Sequence, residues 1–409
     1  MPRRLLAVAL ATLVVAGCAN DKAGQAEKPA GGPSSGAVDV NLLGSGNFPI
    51  KPTASLGTAG APLTGALIDA RRMVDNVVGP WEIDPQMVTP GQSRAVMITD
   101  AASLGSVLPI AVAGAVTAHN LIYGFASDRQ GPDQWRLMNA VLRFPDPAAA
   151  AAAAADLSGA VTKLSPTLDH PVPITGHPDA QATTYSYNLN SSPDQPVTVY
   201  SFTPHGPYVL TQLVYAPQQD AAAVAVAATL DAQVPRIDQF VPTDPAQFAT
   251  LAMDPSGLLA HTMSAPTFPD PPGVRPLDAK IGGYLPRAAL HFQDDPIGAA
   301  PLFAAAGLQE MTYNQTIIYQ VKDAAAATKL VDDLADLTAR TEASTSPANA
   351  VDFLPGSRCV QSLVDPTMSQ GSIFYCFAAL NNSVIAVHDV DATGARQETA
   401  AQYKMLLAP

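Results

Sequence analysis

One order of elements occurs twice in this chain, and it restricts the fold more than any other feature of the 409 residues. In the first copy, "WRLMNAVLRF" predicts a strand ending near Phe144. Asp146-Pro147 then opens a helix, Asp as N-cap and Pro in the first turn, that runs through an alanine tract to about Lys163. Three strands follow, "ATTYSYNL", "VTVYSF" and "YVLTQLVYA", each rich in β-branched and aromatic residues. A helix near residues 219–233 closes the copy. The second copy keeps the order: strand "MTYNQTIIYQV", a helix from Asp323, strands "RCVQSLV", "SIFYCFAAL" and "SVIAVHDV", and a final helix, "RQETAAQYKMLL". Asp146 and Asp323 occupy the same place in the two copies.

Strands joined as hairpins, without alternating βαβ units, predict an α+β fold. The expectation is two related β-α-β-β-β-α repeats, each an antiparallel sheet with helices packed on one face. A domain over residues 46–238 and another over 276–409 would flank a proline-rich connector, 239–275, whose "SAPTFPDPPGVRP" excludes central strands and long helices. Ahead of the first copy, apolar residues at helical spacing predict a helix from Pro62 to Val78, stopped by Gly79-Pro80. The uncharged stretch 104–125 is long enough for a membrane span, but Pro109, Asn120 and two glycines interrupt it, so buried core elements are expected.

The chain begins with a basic pair, Arg3-Arg4, then the apolar run Leu5–Ala16, then "VAGC" ending at Cys18. This is the layout of an export signal, with residues 1–17 as the removable part. Ending in Cys, it resembles a bacterial lipoprotein signal. That resemblance implies a diacylglycerol thioether on Cys18, often with a further acyl chain such as palmitate on its amino group. The alternative is an ordinary secretory signal with a chance cysteine. Several chains on one residue anchor firmly, since burial stabilises by about 0.8 kcal/mol per CH₂. General secretion is expected over the twin-arginine route because the head is short. Residues 18–45, rich in Gly, Ala, Ser and Pro, read as a flexible tether.

Loss of Arg3 and Arg4 with the signal takes the formal charge from −13 to −15. Such an acidic body disfavours nucleic acid as a partner. The membrane, reached through lipid on Cys18, is the expected partner, with an envelope protein or a hydrophobic small molecule as further possibilities.

Cys359 and Cys376 lie on consecutive expected strands with the turn-forming "DPTMSQG" between them. A structural disulfide in an oxidising compartment is the expected state, worth about 3 kcal/mol in the chain-entropy model. Buried free thiols and a redox pair are the alternatives, though the spacing is not Cys-x-x-Cys.

No catalytic or metal motif stands out. The seven histidines have no metal spacing, and His291 and His388, within apolar runs, read as core residues. No Gly-x-Ser-x-Gly elbow, Ser-x-x-Lys or phosphate-binding loop occurs. Asp294-Asp295 precedes Pro296 and reads as a helix cap, and Asp332-Asp333 as an exposed helical face. Glu82 and Asp84 would share a face if "WEID" were a strand, which raises a catalytic pair; a surface turn with Trp81 as a core plug is the blander reading. Arg71, Arg72, Trp81, Glu82 and Asp84 make a candidate binding surface.

"GNFPIKP", "ARRMVDNVVGPWEIDP" and "GYLPRAALHFQDDP" are similar to motifs of a family of mycobacterial and nocardial lipoproteins of unknown function. The resemblance spans nearly all of the mature chain, with Phe48 and Ile83 as mild variants. It implies an actinobacterial envelope lipoprotein and no catalytic residue. A non-enzymatic, cofactor-free protein binding a ligand or partner is expected. A carrier of a hydrophobic envelope molecule and a hydrolase using Glu82 and Asp84 are the alternatives.

Overall fold

A computed structural model describes residues 38–164, 170–185, 196–264, 277–342, 344–363 and 371–408. Cys18 and the expected export signal lie outside them. The N-terminal half runs α1 (Pro62–Val74), α2 (Pro80–Ile83), β1 (Thr89–Ile98), α3 (Ala101–Leu104), α4 (Ile110–Ala113), β2 (Tyr123–Gln130) and β3 (Arg136–Arg143). It continues with α5 (Pro147–Thr162), β4 (Gln181–Tyr185), β5 (Val197–His205), β6 (Tyr208–Ala216) and α6 (Gln219–Ile237). The C-terminal half runs β7 (Gly282–Tyr284), α7 (Pro286–Leu290), α8 (Pro296–Ala306), β8 (Glu310–Tyr313), β9 (Ile317–Gln320) and α9 (Ala324–Thr341). Then come β10 (Thr345–Ala348), β11 (Arg358–Leu363), β12 (Ser372–Leu380), β13 (Ser383–Asp389) and α10 (Ala392–Leu407).

The duplicated order reappears as duplicated topology. One antiparallel sheet has the order β1-β2-β3-β6-β5-β4, the other β10-β11-β12-β13-β9-β8-β7. Read from β7, the second sheet repeats the first strand for strand, with β10 added at its far edge. The helix starts match as well. The Asp146 carboxylate accepts from the Ala149 amide and the Asp323 carboxylate from the Ala326 amide, each at 2.8 Å, satisfying a donor the first turn leaves free.

The α+β class holds, but the helices do not keep to one face. Strands β2, β3 and β6 are buried almost throughout, so both of their faces need cover. Ala153, Leu157 and Val161 of α5 pack with Met138, Ala140 and Leu142 on one face of the first sheet. Val226 and Leu230 of α6 pack with Leu137 and Val141 on the other. In the second sheet α9 covers one face and α10 the other, the latter through Ala395, Ala400 and Tyr403.

The halves do not stand apart. One cluster of buried side chains runs from Val141 and Leu210 in the first sheet to Val360 and Phe377 in the second. The expected connector contributes to the core: Phe240, Phe248, Leu258 and Leu259 are buried, because proline fixes the path of a chain without preventing its apolar neighbours from burying. Residues 265–276 of that connector lie outside the described residues. The expected tether also ends early. Leu43 is buried in the C-terminal half, and the Lys404 ammonium donates to its carbonyl at 2.7 Å.

The stretch 104–125 folds into short helical turns whose Leu104, Val107, Leu108, Val112 and Val116 pack with α5, and then into β2. Among the described residues, no helix is long and apolar enough to cross a membrane. "MTYNQTIIYQV" is a hairpin, not one strand. The Asn314 amide donates to the Thr316 carbonyl and turns β8 into β9.

Candidate functional site

The seam between the halves is held by a buried arginine. Arg129 has no solvent exposure. Its guanidinium donates to the carbonyls of His291 and Gln293, both at 2.9 Å, and of Val88 at 3.1 Å. It also lies 5.2 Å from the Trp81 ring. Burial lowers its pKa to about 10. His291 fills the same seam, bonded to Ser127 Oγ at 2.8 Å and to the Val77 carbonyl at 3.2 Å, and burial lowers its pKa to about 3. It is therefore a neutral core histidine, as its apolar setting in the sequence suggests.

By gripping residues 291–293, Arg129 fixes the segment that carries Asp294 and Asp295. Asp295 caps α8 through the Gly298 amide at 2.8 Å, as expected of a residue before proline. Asp294 does not cap. It pairs with Arg94 of the N-terminal half. Arg94 is presented by a bulge in β1, where the pairing with β2 shifts between Pro90 and Ala95. Gly91 lies so close to the buried Asp128 carboxylate that a Cβ there would sit 2.3 Å from it. Asp128 in turn is gripped by Arg136 through two bonds, at 2.8 and 2.9 Å. Arg94 itself adopts a positive φ of 47°, an unfavourable conformation for a side chain with a Cβ.

Arg94 and Asp294 stand at the mouth of the largest of the cavities described, about 440 Å³. Helix α9 lies mainly over β11, β12 and β13, and a gap opens between it, the β8–β9 hairpin and the 292–295 segment. The cavity occupies this gap. Phe292, Tyr319 and Phe377 make its buried floor, and Leu334 and Leu337 its helical wall. The Phe292 and Tyr313 rings are 5.2 Å apart, tilted by 37°. At the far rim the Tyr375 hydroxyl donates to Glu342, the first residue past α9. Burial, and then the charge of Asp294, raise the Glu342 pKa. His388, the penultimate residue of β13, is exposed at the rim and not in the core. Its ring still lies 6.3 Å from that of Tyr375, and desolvation lowers its pKa.

The residues singled out from sequence fall elsewhere. Cys359 and Cys376 face each other in the β11–β12 register and are joined as a disulfide, with Cα atoms 4.2 Å apart. Arg72 donates to Asp69 at 2.6 Å and to Thr243 at 2.8 Å. Arg71 reaches the Ala279 carbonyl at 3.4 Å. Trp81 is buried against His291, ring centroids 4.9 Å apart, so it is a core plug. Glu82 and Asp84 do not share a strand face, because Pro80–Ile83 is a helical turn. Glu82 accepts from the Gly79 amide at 2.8 Å and from Arg236 at 2.7 Å, and Asp84 accepts from the Gln86 amide at 2.9 Å. None of the five lines the groove. Among the described residues, no group of three or more His, Cys, Asp or Glu is placed to hold a metal ion.

Residues 56–253 match the N-terminal domain, and residues 258–408 the C-terminal domain, of a family described as a domain of unknown function, DUF7373. The chain belongs to the DUF7373 family. In this DUF7373 chain the division between the two matched regions falls within the expected connector, just ahead of the buried Leu258. No curated protein matches it significantly. The extracellular domain of PknH from Mycobacterium tuberculosis is a similar solved structure, with 11% identity, a TM-score of 0.31, and coverage of 42% of this chain and 97% of that domain.

Proposed function

We propose that this DUF7373 protein is an envelope lipoprotein, anchored outside the cytoplasm through Cys18, whose body binds a small amphiphilic ligand without transforming it. The observation that carries the binding reading is the groove. At about 440 Å³ it falls within the usual range of small-molecule sites, and it combines an aromatic floor with a few polar groups at its rim. The export signal ending in "VAGC" and the Cys359–Cys376 disulfide support the compartment. Resemblance to actinobacterial lipoproteins supports the same address.

The carrier reading uses the same groove. The charged rim favours recognition of an amphiphile over storage of a wholly apolar molecule. The apolar residues of the helical turns in the 104–125 stretch pack against α5 and do not line the groove. The hydrolase reading draws no support from Glu82 and Asp84, whose carboxylates serve a helix start, an ion pair and a turn.

The test has two arms. A Cys18→Ala protein is expected to leave the membrane fraction; its retention there after signal cleavage would overturn the anchor. Native mass spectrometry of protein extracted gently from envelopes is expected to show a bound small molecule in the wild type. Thr338→Trp, which fills the groove from its helical wall, is expected to abolish that species. Apoprotein alone from the wild type, or an unchanged adduct in Thr338→Trp, would refute binding in the groove.

A further inference from the structure

We infer that the groove selects a cationic amphiphile, a single-chain molecule carrying an ammonium group. This rests on the binding reading above and specifies its ligand class. Three carboxylates, Asp294, Asp295 and Glu342, line the groove against one guanidinium, that of Arg94. The chain as a whole carries a formal charge of −13, so its far field also attracts cations.

The aromatic lining points the same way. Phe292, Tyr313, Tyr319, Tyr375 and Phe377 all border one cavity, and ring faces attract organic cations through their quadrupoles. An acid edge beside a set of aromatic rings suits an alkylammonium better than an anion, which Asp294 and Glu342 would repel. The aliphatic wall of Leu334 and Leu337 suits an alkyl tail.

The mouth already holds a cation that belongs to the protein. Arg94 is delivered to Asp294 from the other half of the chain by a backbone bulge in an unfavourable conformation. It occupies the position a ligand ammonium would take and competes for the same carboxylate. Glu342, whose ionised form is disfavoured by burial and by Asp294, is the second carboxylate whose charge an incoming cation would offset.

The test is titration calorimetry on the whole chain with three probes below their micelle-forming concentrations: decyltrimethylammonium, decanoate and decanol. Decyltrimethylammonium is expected to bind at least about tenfold tighter than decanoate. Glu342→Gln, which keeps an acceptor for Tyr375, should weaken it several-fold, and Arg94→Gln, which frees Asp294, should tighten it. Decanoate or decanol binding as tightly as the ammonium, in a manner that Thr338→Trp abolishes, would overturn the cation preference and leave the groove standing as a ligand site. Binding of no probe, or binding indifferent to Thr338→Trp, would overturn both.

Discussion

Glu398 shows what one residue does inside this packing. It lies on α10 and is 1% exposed, and among the described residues its carboxylate is approached only by the Gln315 side chain, without a well-formed hydrogen bond to either oxygen. Burial raises its pKa from 4.5 to about 7. The native state therefore binds this proton more tightly than the unfolded chain does. Its contribution to stability falls as pH rises from 4.5 to about 7, the reverse of a salt-bridged carboxylate. Glu398→Gln removes the titration. Its stability advantage over the wild type should grow from near zero at pH 4.5 to about 3 kcal/mol at pH 8, read from urea midpoints. An equal difference at both pH values would show that Glu398 does not titrate in this range. Asp69 is the contrasting case. It is equally buried but accepts from Tyr123, Arg143, Arg72 and Thr243, so its charge is matched on every side. Neither role is legible in the sequence: the local pattern does not reveal that Glu398 is buried, and Asp69 meets Tyr123, Arg143 and Thr243 from distant stretches of the chain.

At the scale of elements, the two capped helices are equivalent parts. Asp146→Ala and Asp323→Ala should each cost about 1 kcal/mol, and the double variant about twice that, since the sites are far apart in the fold. Urea denaturation of the three variants tests this; marked non-additivity would mean that the helix starts are coupled. These helices were legible because Asp-Pro, Asp and alanine tracts are local signals. So were β3, β5, β6, β12 and β13, whose alternation survives in the sequence. Strands β1 and β2 were not. The first is interrupted by the bulge that carries Gly91 and Arg94, and the second buries Ser127, Asp128 and Arg129 where a strand pattern calls for apolar residues. The groove was hidden for a related reason. Arg94, Asp294, Tyr313, Glu342 and Tyr375 come from five separated stretches, each of which looks ordinary alone.

At the scale of the whole molecule, the duplicated order misleads as much as it informs. It suggests two self-sufficient domains, yet the largest apolar cluster draws on both halves, and Arg129 ties them by bonds to main-chain carbonyls. Residues 38–257 and 258–409 expressed separately should each bind a hydrophobic dye and lack a sharp thermal transition, whereas the intact chain unfolds cooperatively. Sharp, independent transitions in both pieces would refute this.

The two halves also meet through different sides. The first turns its α6 side to the common core, while the second turns its α9 side, the counterpart of α5. A pair related by a twofold axis presents the same patch twice and closes on itself; this contact joins unlike patches. Free copies of one half meeting in this way would leave an unused patch at each end, ready for another copy, and would grow as an open polymer. Joining two such units in one chain, with Leu43 and the β10 edge added to the second, gives the series a defined length of two.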